Sequence, residues 1–417
     1  MFNVRFKSHH DASRDLKKYF EIKTDKEIYV KNVLNNEAKN DRVIYIHVPF
    51  CNKICSFCPF NKPNKLKRKD YDNYIINELK ELLKYDYSKK ELSAINFGGG
   101  TPTALSPIQM DNILTFLKEN FIYKNDIEIS VESSISELTD EMIDVLVKGK
   151  VNRLSIGVQT FNDKYRKILN RRGSGVKAIE TIKKVIKKGI INTSIDLIYN
   201  ILSETKEELI EDLKIIKDLD LAGISFYSLM IHENTPLEKI VSKKDLEIMN
   251  DINHEYELFD TIVSYLKEYG YHPLELTKLV KDKRDRYLYM EIRHNIGDCI
   301  AIGHGAGGNI SNYVYRNTSL YPMIEDTSVG SMGKVLDDKY FVLDQMIYDM
   351  QKDKISFKKY DDKLKISLYE ILKDVLKELE SNNYIILNHD GMKLTRLGFF
   401  YGNNIIRLLI EEIIKKL

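Results

Sequence analysis

Three of the chain's four cysteines lie in one ten-residue stretch, CNKICSFCPF, residues 51–60. Cys51, Cys55 and Cys58 follow the spacing C-x3-C-x2-C, directly after the apolar run RVIYIHVPF. Three thiolates can hold three corners of a [4Fe–4S] cluster and leave the fourth iron open for a ligand that is not protein. A Cys3His zinc site and structural thiols are the alternatives, although His47 lies inside the predicted strand and Cys299 is distant in sequence.

Composition narrows the class of protein. The 417 residues are 43% hydrophobic and 30% charged, which favours a large core and two domains. The 64 basic and 62 acidic residues are interleaved, so we expect neither nucleic acid nor a membrane as a partner. The charged N-terminus is not typical of a secretory signal, and closely spaced thiols suit a reducing compartment. We therefore expect a cytoplasmic protein.

Six short β-branched runs alternate with helical patterns. The runs begin near Arg42, Ser93, Asp126, Asn152, Asn192 and Gly223. The segments between them, at 71–86, 106–121, 139–150, 175–189 and 205–219, have apolar residues at helical spacing and start near Ser, Thr or Asp. This alternation predicts an α/β fold with a parallel sheet, a partial (β/α)6 barrel whose ligand lies at the carboxyl ends of the strands.

The remaining chain divides into further predicted regions. Residues 1–40 are an N-terminal extension with a possible helix at 11–22, and residues 41–310 form the barrel with a glycine-rich segment, CIAIGHGAGGN, facing the substrate. Residues 311–333 are a predicted linker. Residues 334–417 read as a mostly helical domain with a hairpin in 383–402, which is typical of a winged helix.

Polar or glycine residues follow each of the next predicted strands. FGGGTPT, residues 97–103, ends the second strand, and its glycines allow backbone to approach a ligand closely. Glu132, Gln159 and Asp196 end the third, fourth and fifth strands, and the basic pair Arg171 and Arg172 follows the fourth. Each alone fits a helix cap, a satisfied interior group or a solvated cation. Together they predict a polar ring around one cavity.

The segments YIHVPFCNKICSFCPF, NFGGGTPT, ISVESS, VNRLSIGVQTFND, ILNRR and IDLIYN together resemble the radical S-adenosylmethionine enzymes of the oxygen-independent coproporphyrinogen III oxidase-like family. The resemblance spans about residues 40–310, and LTRLGFFYGNNII is similar to the family's closing motif. It implies a [4Fe–4S] cluster on Cys51, Cys55 and Cys58, with S-adenosylmethionine on the open iron. Reduction of the cluster would then split S-adenosylmethionine into methionine and a 5′-deoxyadenosyl radical.

The same resemblance implies roles for other residues. Gly98, Gly99, Gly100 and Thr101 would hold the methionine moiety and Arg171 its carboxylate. The adenosyl part would contact three residues: Phe57, Gln159 and Asp196. Tyr45 and Glu132 match catalytic positions near the cofactors. In the family Glu132 lies between two S-adenosylmethionine molecules, so the resemblance implies that two bind.

Departures from the pattern point to one branch. The oxidase has a further cysteine where this chain has Phe60, and Gly-Leu-Pro where it has NILSE. The heme chaperone branch is similar at RHN, 293–295, but continues with Tyr-Trp, and this chain has no tryptophan. GHGAGG, 303–308, resembles the anaerobic heme-degrading (anaerobilin synthase) methyltransferases. That branch implies methylation of heme at a meso carbon, ring opening and release of iron with a linear tetrapyrrole.

Substrate and electron donor follow from this resemblance. Heme or a related tetrapyrrole would be the substrate, with His294, Cys299 and His304 as possible heme contacts, and a flavodoxin- or ferredoxin-type protein would supply electrons. The basic run 62–70 suits a solvated face as well as heme propionates. The alternatives are a heme chaperone, a radical methyltransferase, cyclopropanase or oxidase with another substrate, and a structural zinc protein.

Overall fold

The structure of the protein is a computed structural model that describes residues 2–12, 16–59, 68–317, 332–352 and 354–417. Phe60 and most of the basic run 62–70 lie outside these residues. Its strands are β1 (Arg42–Val48), β2 (Leu92–Gly99), β3 (Tyr123–Ser134), β4 (Arg153–Gln159), β5 (Asn192–Tyr199), β6 (Gly223–Ser228), β7 (His272–Glu275), β8 (Lys278–Val280), β9 (Asp298–Ile302), β10 (Gly307–Ile310), β11 (Tyr313–Arg316), β12 (Met332–Val335), β13 (Lys354–Ser356), β14 (Ile385–Asn388) and β15 (Gly391–Leu394).

The helices lie mainly between these strands. They are α1 (His9–Ala12), α2 (Lys26–Leu34), α3 (Tyr71–Leu82), α4 (Pro107–Asn120), α5 (Asp140–Lys148), α6 (Asp163–Ile168), α7 (Gly175–Lys187), α8 (Lys206–Leu219), α9 (Lys243–Met249), α10 (Ile252–Glu268), α11 (Leu288–His294), α12 (Asp338–Met350), α13 (Lys358–Leu364), α14 (Leu368–Ser381), α15 (Arg396–Phe400) and α16 (Gly402–Ile414). Within the described ranges, no helix combines the length and apolar character that crossing a bilayer requires.

The predicted (β/α)6 core is confirmed. Strands β1 to β6 lie side by side in chain order, and each pairs in parallel with the next. Side-chain caps start the crossover helices where the sequence predicts them: Ser106 and Gln109 form a capping box on α4, and Thr205 and Glu208 form one on α8. The carboxyl ends of all six strands therefore meet along one rim of the sheet.

The sheet extends well beyond these six strands. Strand β9, part of the predicted glycine-rich segment, pairs in parallel with β1 on its free side. Strands β10, β11 and β12 continue outward as an antiparallel extension. The predicted linker, 311–333, thus contains β11 and reaches the start of β12, while residues 318–331 lie outside the described part of the chain.

The C-terminal region has the helices and hairpin that the sequence predicts. Strands β14 and β15 form the antiparallel hairpin, and β13 pairs with β15 to complete a three-stranded sheet beside α12 to α16. This arrangement agrees with a mostly helical, winged-helix-like unit.

The N-terminal residues run between this region and the barrel. Arg5 Nε donates to the Phe400 carbonyl at 2.8 Å, and its Nη1 donates to Tyr199 Oη at 2.9 Å and pairs with Glu255 Oε1 at 2.5 Å. A helix was predicted at 11–22. Residues 13–15 of this stretch are not described, and residues 16–19 form a 3₁₀ turn. Helix α2 follows, and the sequence pattern did not predict it.

A buried ion-pair network joins β4 and β8 to the segment that precedes α11. Asp285 pairs with Arg153 at 2.9 Å and with Lys278 at 2.8 Å, and these side chains are at most 2% exposed. Ser194 also donates to Asp285. Burial alone would raise the pKa of Asp285, but Arg153 and Lys278 hold it far below its usual value. The carboxylate therefore compensates two cations that have no access to water.

Asp285→Asn should strongly destabilise the protein, because it removes the carboxylate that pairs directly with the buried Arg153 and Lys278. We expect the free energy of unfolding, measured by urea titration, to fall by about 3–5 kcal/mol. Asp282→Asn is the matched control, since Asp282 pairs with Arg284 at the exposed surface, where such a pair contributes about 1 kcal/mol or less. Equal losses in the two variants would contradict this role of Asp285.

Candidate functional site

The cysteine loop leaves β1 and is fixed on two sides by backbone contacts. On one side, Gly100 N donates to the Val48 carbonyl and Thr101 N to the Phe50 carbonyl, both at 2.8 Å. On the other, Ser56 N donates to the Leu169 carbonyl at 3.1 Å. Asn170 Nδ2 also donates to the Ile54 carbonyl at 2.8 Å. The loop is thereby held between the end of β2 and the end of α6.

Most of the predicted site residues line one small cavity of about 300 Å³ at the carboxyl rim of the strands. They are Cys51, Cys55, Phe57, Cys58, Gly99, Gly100, Thr101, Glu132, Gln159, Arg171 and Asp196. Cysteine thiols, glycine backbone, carboxylates and a guanidinium thus converge on one space, as the strand-end pattern predicts.

The three thiols suit a polynuclear cluster better than a single metal ion. All are free and half-buried. Among the described residues, no three His, Cys, Asp or Glu side chains come close enough to hold one metal ion. Cysteines that bind a [4Fe–4S] cluster each bind a different iron, so they need not converge on one point. The donor set therefore fits the cluster, and it does not support the zinc alternative.

Arg171 has free donor capacity inside the small cavity. Its Nη1 donates to Cys55 Sγ at 3.1 Å, and its Nη2 donates to the Gly157 carbonyl. Its buried Nε has no partner among the described residues. An unpaired buried N–H is costly and marks a place where an acceptor is expected, and a carboxylate is the natural one for a guanidinium.

Gln159 reaches the cavity through a strained backbone. A bulge lies between Gly157 and Gln159 in the pairing of β4 with β5, and Gln159 has a φ of 72°. A non-glycine residue in this region costs about 1–3 kcal/mol, and such strain concentrates at functional sites. A Cβ on Gly157 would lie 3.0 Å from Gln159 Nε2, so the glycine leaves room for this amide.

Glu132 lies at the back of the small cavity. Burial, together with the nearby Asp196, raises the pKa of Glu132 to about 7, and the Gly99 N–H and the Asn96 side chain oppose the increase. Burial also raises the pKa of Asp196. Glu132 can therefore hold or release a proton near neutral pH.

A second, much larger cavity of about 1720 Å³ opens on the other side of Tyr45. It is lined by Tyr45 and His47 of β1, by tyrosines of α11 and β11, by the glycines of β10 and by residues of the N-terminal extension. Tyr45 Oη and His47 Nδ1 are 2.9 Å apart. The boundary with the small cavity lies at Gly98, where a Cβ would be 2.9 Å from both Glu132 Oε1, which lines the small cavity, and Tyr45 Cε2, which lines the large one. This boundary is the thin wall between the cavities.

The three possible heme contacts do not line either cavity. Cys299 is fully buried on β9. His294 Nδ1 pairs with Asp344 Oδ2 at 2.9 Å, and its ring stacks on Tyr348. His304 is half-buried, and its backbone N–H donates to Tyr71 Oη at 3.0 Å. Their contact with a substrate stays a prediction.

Sequence reasoning missed several residues of the large cavity. Lys17, Tyr289, Arg293, Tyr313 and Tyr315 all line it. Their positions depend on β9 to β11 and on the N-terminal extension, whose pairing has no signal in the local periodicity. The RHN motif at 293–295 is the one local signal for this cavity, and it predicts His294 as a contact instead of Arg293.

Glu132→Gln should change how stability depends on pH in the cofactor-free protein. The pKa of Glu132 is raised from 4.5 to about 7 in the folded state, so the stability that its proton provides is complete at acidic pH and is lost as pH rises through 7. Glutamine cannot lose this proton. From pH 5 to pH 8 we expect the variant to gain on the order of 2–3 kcal/mol relative to wild type in urea titrations. Glu141→Gln, at an exposed position, is the control. Parallel pH curves for Glu132→Gln and wild type would refute the raised pKa of Glu132.

Comparison with known proteins assigns this site to a family. Residues 45–216 match the family model described as the radical SAM superfamily. The chain is 31% identical to anaerobilin synthase of Escherichia coli O157:H7 over 69% of this chain and 65% of that protein. It is 28% identical to heme chaperone HemW of Lactococcus lactis subsp. lactis (strain IL1403) over 88% of this chain and 97% of the relative.

A solved structure has the same fold. Coproporphyrinogen III oxidase (HemN) from Escherichia coli, described as a radical SAM enzyme, superposes with a TM-score of 0.79 at 20% identity and covers 94% of both chains. The chain thus belongs to the radical SAM superfamily, in the oxygen-independent coproporphyrinogen III oxidase-like family, and is a radical SAM enzyme whose cofactors are a [4Fe–4S] cluster and S-adenosylmethionine.

Proposed function

We propose that the protein is a C-methyltransferase that methylates heme and opens the porphyrin ring without oxygen, releasing iron and a linear tetrapyrrole. The observation that carries the proposal is the thin wall at Gly98 between the two cavities. One cavity has the residues of a radical cofactor site. The other is large enough for a tetrapyrrole, since drug-sized ligands occupy about 300–1,000 Å³. The identity to anaerobilin synthase supports this reading.

In this proposal the small cavity holds the cofactors. Cys51, Cys55 and Cys58 bind the cluster, and the backbone of Gly98 to Thr101 receives the methionine moiety of S-adenosylmethionine. Arg171 takes its carboxylate, for which the free Nε is available. Phe57, Gln159 and Asp196 contact the adenosyl part. When bound, cluster and S-adenosylmethionine supply one-electron cleavage chemistry that the protein itself lacks.

Glu132 and Tyr45 are the proposed catalytic residues at the boundary. Glu132 changes protonation near neutral pH and can hold or release a proton at Oε1 beside the thin wall. Tyr45 presents its ring to the large cavity, and its hydroxyl lies within hydrogen-bond distance of His47. A second S-adenosylmethionine on the far side of Glu132 would provide the methyl group. A flavodoxin- or ferredoxin-type protein is the proposed electron donor, and free thiols favour a reducing cytoplasm.

A heme chaperone is the second candidate. Its support is the match to the Lactococcus relative, which spans 97% of that protein. The absence of tryptophan, and so of the Tyr-Trp that completes the chaperone motif, speaks against it. A chaperone should pass intact heme to an acceptor and leave S-adenosylmethionine uncleaved.

Alanine at Cys51, Cys55 or Cys58 should remove most of the iron from anaerobically reconstituted protein, because each thiolate would hold one corner of the cluster. Wild type should contain about four irons and matching sulfide per chain. Cys299→Ala is the control, since this thiol is buried away from the small cavity, and it should keep its iron. Loss of iron from Cys299→Ala, or full retention in Cys51→Ala, would contradict the assignment.

Anaerobic incubation with heme, S-adenosylmethionine and a strong one-electron reductant tests the function. Mass spectrometry should detect a methylated linear tetrapyrrole together with 5′-deoxyadenosine and S-adenosylhomocysteine. The Cys51→Ala variant should form none of the three. Formation of 5′-deoxyadenosine with heme unchanged would mean that the substrate is another molecule, and intact bound heme with no cleavage would favour the chaperone.

A further inference from the structure

The large cavity has a corner with two cations. Lys17 lies on the 3₁₀ turn 16–19, Arg293 lies in the last turn of α11, and both line the cavity. Both side chains are exposed to solvent along the cavity. Partial desolvation by the surrounding protein, and then the charge of Arg293, lower the pKa of Lys17, so the two groups are close enough to repel each other. Such a like-charge pair is stabilised when an anion binds between its members.

Neither cation has a full set of hydrogen-bond acceptors within the part of the chain that the structure describes. Arg293 Nη1 donates to Tyr289 Oη at 3.0 Å, and this is the one hydrogen bond that the guanidinium makes to described residues. The Lys17 ammonium group makes no hydrogen bond or ion pair with them. Most of the guanidinium donors and the whole ammonium group are therefore available to a ligand.

The nearest acid cannot neutralise both groups. Asp344 Oδ2 pairs with His294 Nδ1 at 2.9 Å. Burial alone would raise the pKa of Asp344, but His294, Arg293 and Lys17 together lower it. One carboxylate thus interacts with a histidine and two basic side chains. The corner keeps an excess of positive charge.

Stacked rings connect this corner with the wall between the cavities. The Arg293 guanidinium lies 6.0 Å from the centroid of the Tyr289 ring. Tyr289 stacks on Tyr45 with ring centroids 5.6 Å apart and an interplanar angle of 24°. Tyr45 in turn contacts the thin wall beside Glu132. One aromatic ring, that of Tyr289, therefore lies between the Arg293 guanidinium and Tyr45.

We propose that Arg293 and Lys17 bind a carboxylate of the flat aromatic substrate and so determine which edge of it faces Tyr45 and Glu132. The inference rests on the proposed function for the identity of the ring system. A guanidinium recognises a carboxylate through two parallel hydrogen bonds, and an ammonium adds a point charge. Because heme carries its two carboxylates on one edge, holding that edge at the corner turns the opposite edge toward the wall at Gly98.

Titration with heme and with heme dimethyl ester tests this subsite. The reconstituted enzyme with S-adenosylmethionine is titrated anaerobically with each ligand, and binding is followed by visible absorbance. We expect wild type to bind the diacid about tenfold or more tightly than the diester. Arg293→Gln and Lys17→Met should each weaken diacid binding by about tenfold and leave diester binding unchanged. Lys17 is an exposed side chain on a short turn, so its variant tests the subsite even if Arg293→Gln does not fold.

Two further variants separate an effect on carboxylate binding from a general effect on the structure. Arg293→Lys keeps the charge but loses the two-pronged geometry, so it should bind the diacid with intermediate affinity. Arg286→Gln is the control, because Arg286 pairs with Asp126 at the exposed surface and does not line the cavity. It should bind both ligands as wild type does.

The titrations distinguish failure of the carboxylate subsite from failure of the proposed function. If wild type binds both ligands equally, or if Arg293→Gln weakens both equally, then the carboxylate subsite is wrong and the proposed function stands. The second of these results would mean that Arg293 only positions Tyr289. If wild type binds neither ligand, the proposed function fails and the subsite fails with it.

Discussion

The carboxyl end of β2 has no room for side chains, and the site depends on this close packing. A Cβ on Gly98 would meet Glu132 and Tyr45, one on Gly99 would lie 2.6 Å from the His47 ring, and one on Gly100 would lie 2.6 Å from the Phe50 carbonyl. Gly99 also has a φ of 110°, which side chains rarely tolerate. Because these three positions are glycine, β1, β3 and the cysteine loop can approach one another closely enough to share a single rim.

The close approach of β1, β3 and the cysteine loop has a chemical consequence. It leaves Glu132 lining the small cavity and Tyr45 lining the large one, and the two side chains meet where a side chain at position 98 would otherwise lie. A radical enzyme must generate a reactive species next to its substrate and away from water. Two adjoining cavities with a thin shared wall meet the first requirement. They also account for the raised pKa of Glu132, which would otherwise only cost stability.

The sequence predicted the barrel and the small cavity well, because both follow from local patterns. All six core strands begin within three residues of their predicted starts, since β-branched runs and helix caps are short-range signals. Strand-end residues such as Gln159 and Asp196 were brought together by the parallel topology alone. The large cavity was not predictable in this way. Its walls depend on β9 joining β1 and on Lys17 arriving from the N-terminal extension, both of which are long-range contacts.

In the proposed complex, a tetrapyrrole lies in the large cavity with one edge at the wall that separates it from S-adenosylmethionine. A crystal structure of the reconstituted enzyme, grown anaerobically with heme and S-adenosylmethionine, tests this placement. We expect S-adenosylmethionine in the small cavity, next to Arg171, and a heme meso edge beside Tyr45 and Glu132. Heme bound elsewhere on the protein, with the large cavity free of it, would contradict this arrangement.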